Sequence, residues 1–580
     1  MARLLAPSFV GFSRAAIRPD LIAGLTVWAV LVPESLAYAT IAGVPPVVGL
    51  YAAVPALVLY AVIGSSRHLV VSPMSATAAL SIGVVGTVTS DPADFVVLTT
   101  GLALATGLVA LAAGLLRLGF LASFISEPVL KGFIIGLALT ILIGQVPALL
   151  GVDKGSGNFF EKARDLLGHL DDIDPLTVAV GVASFAALLV LRRALPLVPA
   201  SLVVALAGIA VVALLGLDDD GLEVIGHIDS GLPHVGLPDL SGGQFVDLLG
   251  GAVGVMLVGF AEGLGAAKTY AAKDGYDIDA NRELLGLGAA NLGAGLTSGM
   301  VVNGSLSKTA VNGSAGARSQ LSGLTAAGLT LVTLLFLTGL FEQLPEATLA
   351  AIVIAAVIEL VDIASLRRLW RVRTGRLASV YRLTTRADFF AAVAALLGVL
   401  LFDTLPGLVI GIAVSLALLI ARTSRPHIAA LAPVGDAPDR PWIDISRNAD
   451  YPTVPGVLVV RVEAPLLFAN ADFVRMRVRD LASEVPELRV VVLDGRSTPS
   501  IDVTASGMLV LLRADLRRMG AELVLAEDIG QVRDVLASAE PEGEPLLYPT
   551  IEAALASVPP ARARPAVEPG AADPSITPNG

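Results

Sequence analysis

The 580-residue chain contains no cysteine. Disulfides, thiolate nucleophiles and cysteine-ligated metals are thereby excluded. Histidine is scarce, with 5 in the whole chain and no HExxH spacing among them, so zinc chemistry has no support. Charge is thin as well: Asp, Glu, Lys and Arg make up 16% of the residues, against roughly 25% in an ordinary soluble protein. Positive charge is the rarer sign, and the net −12 argues against nucleic acid as a partner. What fills the chain is apolar, 55% hydrophobic with a mean hydropathy of +0.78. A helix needs about 20 apolar residues to cross a bilayer, and such runs recur from Leu21 to the neighbourhood of Ala421, room for roughly fourteen spans or half-spans. The composition predicts a polytopic α-helical membrane protein. No cleavable leader is apparent, since Arg3, Arg14 and Arg18 run straight into a long apolar span, which is expected to stay. From about Pro433 onward charges return and apolar runs shrink to strand length, so a soluble domain is expected to follow.

Arginine sets the expected topology. Arg14 and Arg18 precede the first span, Arg67 follows the second, Arg117 the fourth, and Arg192 with Arg193 the sixth. The densest basic loop, residues 364–386, follows the twelfth. In an even-numbered scheme these all lie on one side, which the positive-inside rule makes cytoplasmic. Residues 91–94, 218–247 and 342–346, on the other side, contain no Lys or Arg. The loop with Lys154, Lys162 and Arg164 is the exception, and its Asp153, Glu161 and Asp165 suggest an amphipathic surface helix. Both termini are expected in the cytoplasm.

Transporters made of two inverted halves bind substrate at mid-membrane, where corresponding segments are short and broken by Gly or Pro. Two segments here fit. In residues 68–86, Ser72-Pro73 precedes a helical run too short to span. In residues 301–320, Asn303-Gly304-Ser305 precedes a second short run starting at Leu306. Each reads as an extended piece followed by a half-helix, because Pro is tolerated at a helix start and Gly permits a tight turn. Half-helix N-termini offer free N–H groups and a partial charge of roughly +0.5, which favour an anion. The expected substrate-binding residues are Ser72, Pro73, Ser75, Ala76 and Thr77 on the first segment and Gly304, Ser305, Leu306, Ser307 and Lys308 on the second. Close helix packing is the competing reading of any single one of these small residues.

A charge at the centre of a membrane helix costs about 2.5 to 3.5 kcal/mol, so Glu34, Glu262 and Lys308 stand out. Glu34 and Glu262 fall in the first and eighth spans, corresponding positions of the two halves. A carboxylate there can take a proton or Na⁺ and so balance an anion's charge; a structural Glu paired with Lys308 or capping a helix is the alternative. Lys268 and Lys273 read as snorkelling residues at the cytoplasmic end of the eighth span, and Glu127 as a helix-start feature beside Pro128.

Residues 20–27 (DLIAGLTV), 32–39 (VPESLAYA), 42–46 (AGVPP) and 49–53 (GLYAA) resemble the first two helices of the SulP family of anion transporters. Residues 260–262 (FAE), 279–284 (DANREL), 288–291 (GAAN), 304–312 (GSLSKTAVN) and 315–323 (AGARSQLSG) are similar to its second half. The resemblance implies two inverted seven-segment repeats, divided into a core and a gate domain, with the third and tenth segments meeting around the anion. That family usually has arginine where Lys308 stands here, and lysine keeps the charge but loses the planar fork; Phe is common in it at the position of Leu306. The resemblance further implies a C-terminal cytoplasmic STAS domain, related to anti-sigma-factor antagonists. Residues 456–462, 488–494 and 521–526 read as strands and 471–483 and 505–519 as helices. Thr504 matches the phosphorylatable hydroxyl of those relatives, while helix capping by Asp502 or Thr504 is the plainer reading. The expected division is a cytoplasmic N-terminus over 1–20, a transporter domain over 21–425, a linker over 426–450, the STAS domain over 451–558 and a disordered tail over 559–580.

The function this predicts is secondary active transport of a small anion, sulfate or bicarbonate first, across the bacterial inner membrane by Na⁺ or H⁺ symport. A homodimer and a cytoplasmic regulator of the STAS domain are the expected partners, with no cofactor beyond the coupling ion. An uncoupled channel or an exchanger is the alternative; nucleobase uptake and a purely signalling role are disfavoured. No constellation for enzymatic catalysis is present.

Overall fold

Backbone in hydrocarbon must satisfy its own hydrogen bonds, and helices do this within one segment. The computed structural model follows that rule. It describes residues 6–9, 12–89, 91–120, 126–155, 157–195, 198–371, 387–402, 404–435, 440–448, 450–527, 530–539 and 546–557. The expected tail and most of the basic loop, residues 372–386, lie outside the described residues. The chain divides into two compact units, residues 1–416 and 417–580.

The first unit begins with α1 (Ile17–Ile41), α2 (Val47–Ile63), the short strand β1 (Val70–Ser72), α3 (Ser75–Val88), α4 (Phe95–Leu115) and α5 (Glu127–Leu150). Next come α6 (Phe159–Gly168), α7 (Pro175–Ala194), α8 (Ala200–Leu215), α9 (Gly242–Asp274) and α10 (Ala280–Leu296). After these the strand-then-helix motif recurs as β2 (Asn303–Ser305) and α11 (Leu306–Ser314), followed by α12 (Leu321–Val332), α13 (Glu346–Val357), α14 (Ile363–Arg371), α15 (Ala387–Phe402) and α16 (Thr404–Ser424), whose last turns belong to the second unit. Seven of the described helices are long and apolar enough to cross a membrane, and α2, α3, α8, α13 and α15 are apolar but shorter. Length alone therefore does not reproduce the expected count of about fourteen, because α3 and α11 are half-helices and α2, α8, α13 and α15 stop at 12 to 17 residues. At 33 residues α9 reaches about 50 Å, more than the thickness of the hydrocarbon core. The surface helix expected near Lys162 is α6, opened by a capping box between Asn158 and Glu161.

Order along the chain is matched in space. α1 packs on α12, α10 packs on α2 and α4, and α9 runs against α3, α4 and β2, so these elements enclose the strand pair. α5, α7, α13 and α15 pack on one another as a second group. Small residues permit the closeness: a Cβ on Gly132 of α5 would lie 1.9 Å from the Ala392 carbonyl oxygen of α15.

The second unit carries a six-stranded sheet in the order β4-β3-β5-β6-β7-β8, from β3 (Ile428–Pro433), β4 (Trp442–Asp444), β5 (Val457–Val462), β6 (Val490–Asp494), β7 (Glu522–Ala526) and β8 (Leu546–Tyr548). The last four are parallel to one another, while β3 runs antiparallel to β5 and β4 antiparallel to β3. Crossovers are made by α17 (Ala471–Ser483), α18 (Val503–Arg518) and α19 (Gly530–Ala539), and α20 (Ile551–Ala556) closes the unit. The strands and helices expected from sequence coincide with β5, β6, β7, α17 and α18. The expected linker does not survive: residues 428–433 and 442–444 are strands of the sheet. Their short apolar runs beside Pro433 and Pro441 lack the alternation that announces a strand.

Candidate functional site

The two interrupted segments meet. β1 and β2 form an antiparallel ladder, Val70 opposite Ser305, Val71 opposite Gly304 and Ser72 opposite Asn303. An antiparallel pair is what two segments related by an in-plane two-fold axis make. Gly304 is required by the close approach of β2 to α9, since a Cβ there would lie 2.9 Å from the Gly263 Cα and from the Leu69 side chain. Each strand hands over to a half-helix. α3 begins after Met74, an extended N-cap whose side chain makes no capping bond, and its first intrahelical bond runs from Ala78 N–H to the Met74 carbonyl. The first-turn amides of Ser75, Ala76 and Thr77 thus have no intrahelical acceptor. α11 is capped by Ser305, whose Oγ accepts from Lys308 N–H at 3.2 Å and lies 3.1 Å from Ser307 Oγ.

Burial sorts the expected ligands. Ser72, Ser75, Ala76, Thr77 and Ser305 are buried, whereas Leu306 and Ser307 are exposed at the start of α11. Ser72 Oγ donates to the Pro73 carbonyl at 3.4 Å and Thr77 Oγ1 to the Met74 carbonyl at 3.2 Å, both folded back on the local backbone.

Lys308 is 1% exposed and Glu34 3%. The Lys308 Nζ lies 3.0 Å from Glu34 Oε2 and donates to the Pro73 carbonyl at 3.0 Å. Tyr38, one turn after Glu34 on α1, donates to the same Oε2 at 3.2 Å and turns its ring face to the ammonium at 4.9 Å. The structure therefore brings Glu34 to Lys308, and Lys308 joins the second half-helix to the first at its Pro73 junction. Its charge is matched by Glu34, so the uncompensated positive potential here comes from the helix starts. Glu262 is placed differently. It sits on α9 between Gly259 and Gly263, the two glycines against which Asn303 and Gly304 of β2 rest, and its Oε2 is buried with no hydrogen-bond partner among the described residues.

Several polar residues that sequence reasoning left without a role hold this arrangement. Thr309 Oγ1 accepts from Val70 N–H, Asn312 Nδ2 donates to the His68 carbonyl, and Gln320 Nε2 donates to the Ser66 and Leu69 carbonyls, tying α11 and its exit to β1. Asn291 clasps the Val302 backbone from both sides, at 2.9 and 3.0 Å. Asp20 accepts from Arg318 N–H, Ser319 N–H and Ser319 Oγ, and Glu283 accepts from Tyr60, Ser65 and Ser66. The signal was their polarity in an apolar chain; the partner of each lies too far away in sequence to be read. In the second unit Asp502, not Thr504, caps α18, accepting from Ala505 N–H at 2.8 Å, and Thr504 is exposed on the first turn.

Residues 17–381 match the Sulfate permease family and residues 448–554 match the STAS domain. The chain belongs to the sulfate permease family. As a member it is an anion transporter of the membrane and not an enzyme. It is 35% identical over 555 residues to a probable sulfate transporter of Mycobacterium tuberculosis, covering 94% of this chain and 96% of that one. Sulfate transporter 1.1 of Arabidopsis thaliana is 30% identical over 546 residues, 88% of this chain and 80% of that one. Among solved structures, this sulfate permease family member shares the fold of murine Slc26a9 in its inward-facing state, with a TM-score of 0.84 at 23% identity over 95% of this chain and 93% of the other. The transmembrane domain of the cyanobacterial bicarbonate transporter BicA matches with a TM-score of 0.60 at 23% identity, over 68% of this chain and 98% of the other.

Proposed function

We propose that this transporter carries a small oxyanion, sulfate first, into the cell by alternating access, driven by an inward gradient of Na⁺ or H⁺. The observation that carries the reading is the pair of half-helix starts on one antiparallel strand pair, with the Lys308 charge already matched by Glu34. An anion is then met by backbone N–H groups and helix dipoles, with hydroxyls at Ser75, Ser305 and Ser307, rather than captured by a free cation. Such a site binds and releases, as a carrier must. The names of relatives 30 to 35% identical over most of the chain support sulfate ahead of bicarbonate.

Coupling falls to the carboxylates. Glu262 has an unpartnered buried oxygen one residue from Gly263, which touches β2, so a proton or Na⁺ taken there would relieve a buried charge beside the anion strand. Glu34 contributes by holding Lys308, and a proton on Glu34 would release it. In this reading the protein lies in the inner membrane with both termini cytoplasmic, and assembles as a homodimer. A phosphate on Thr504 would sit at the start of α18, a favourable place for negative charge and a route for a cytoplasmic regulator.

The test is purified protein in liposomes, supplied in turn with labelled sulfate, bicarbonate and fumarate under separate Na⁺ and pH gradients. Concentrative sulfate uptake that needs one cation gradient supports the reading. Flux far above carrier turnover, or obligatory anion exchange, replaces it with an uncoupled channel or an exchanger.

A further inference from the structure

Between α4, α9, α10 and the residues leading into β2 lies a cavity of about 10 Å³, the lower bound of room for one water molecule. Three polar side chains line it: Thr106, Asn291 and Asn303. Asn291 has spent its amide, donating to the Leu287 and Val302 carbonyls and accepting from Val302 N–H. Thr106 and Asn303 have not. The residues are 3% and 2% exposed, and Thr106 Oγ1 and Asn303 Nδ2 are both buried without a hydrogen-bond partner among the described residues. Buried polar groups are paired as a rule, by protein or by ordered water. Two orphans on one water-sized cavity call for a shared partner.

We infer that this cavity holds one water molecule, which accepts from Asn303 Nδ2 and hydrogen-bonds Thr106 Oγ1, making Thr106 a positioning residue for the anion site. A cation is the wrong occupant, since it needs several oxygen ligands, whereas the side-chain atoms left buried and unpaired on this cavity among the described residues are one hydroxyl and one amide nitrogen, whose two N–H groups repel a cation. The link to the site is direct. Asn303 stands opposite Ser72 in the strand pair, and its side chain fills the notch left by Gly259 and Gly263, where an added Cβ would lie 2.8 Å from Asn303 Nδ2 and 3.3 Å from Oδ1. A water that holds this side chain holds β2 on α9, and with it the spacing of the two half-helix starts. α4 thereby acts on the site without reaching it. The water stands on the cavity alone; the effect on anion affinity rests on the anion-site reading above.

A cryo-EM map sharp enough to show ordered waters, recorded for wild type and Thr106→Val, tests the first half. A solvent peak within hydrogen-bond reach of both side chains in wild type, lost in the variant, is expected; no peak while other internal waters are visible overturns it, as does a peak ringed by oxygens in the manner of a cation. For the second half, Thr106→Val should weaken labelled-sulfate binding about three- to ten-fold, the worth of one net hydrogen bond. Thr106→Ser should restore it, and Thr100→Val, which removes another buried unpartnered hydroxyl of the same helix, should leave it unchanged. Equal losses in both valine variants, or none in Thr106→Val, overturn the positioning role. Sulfate that fails to bind wild type at all, with the solvent peak present, points to the anion-site reading and not to the water.

Discussion

A lysine and a glutamate, each almost free of solvent, face one another beneath the two helix starts, and neither tolerates losing the other. Removing one partner of a buried ion pair strands the second charge, a penalty of about 3 to 5 kcal/mol. Lys308→Met alone and Glu34→Gln alone should therefore lower the melting temperature of the purified protein clearly. The double variant should recover part of the loss, and strictly additive losses would show that the pair does not act as a unit. Glu262 makes the opposite prediction because its buried Oε2 has no hydrogen-bond partner among the described residues. Glu262→Gln should leave melting close to wild type while abolishing gradient-driven uptake, and unchanged coupled uptake would remove it from the mechanism. In the C-terminal unit Asp515 supplies a pH dependence. Burial pushes its carboxyl up, but the hydrogen bond and charge of Arg475, with Arg479 and Arg518, hold it below the ordinary carboxylate value. A depressed value stabilises the fold above an unfolded value of about 3.9 and loses that contribution as pH falls through the folded one. Asp515→Asn should thus melt lower than wild type at neutral pH, with the gap closing in strong acid; a gap independent of pH would contradict the assignment.

At the scale of elements, the ladder between β1 and β2 is three residues long and cannot persist alone. It is held by α9 through Gly304 and by Thr309, Asn312 and Gln320 on the far side. Gly304→Val should lift β2 off α9 and eliminate sulfate binding, whereas Gly83→Ala on α3, where an added Cβ meets nothing within 4 Å, should be tolerated and slightly stabilising. Equal binding by both variants would show that the strand does not set the site. The half-helices were legible because Ser72-Pro73 and Asn303-Gly304-Ser305 break apolar runs with residues that cannot face lipid. The pairing of Lys308 with Glu34 was legible only as one of two readings, since contacts so distant in sequence follow from the fold and not from spacing. β3 and β4 were missed because the alanine-rich, proline-flanked run of the one and the three residues of the other carry no alternation of their own.

The first unit repeats one arrangement: two helices, a strand, a half-helix and a further helix, once through α4 and again through α12. A transporter of two such halves moves its site by shifting one packed group against the other. On the alternating-access reading proposed above, the enclosing group of α1, α2, α3, α4, α9, α10, α11 and α12 and the group of α5, α7, α13 and α15 would be the two bodies. The central claim is that the anion sits between the starts of α3 and α11. Equilibrium binding of labelled sulfate to purified wild type and Ser307→Trp, with melting temperature as the control for folding, tests it most directly. Wild type should bind and the folded Ser307→Trp protein should not; sulfate affinity unchanged in that variant would contradict the account.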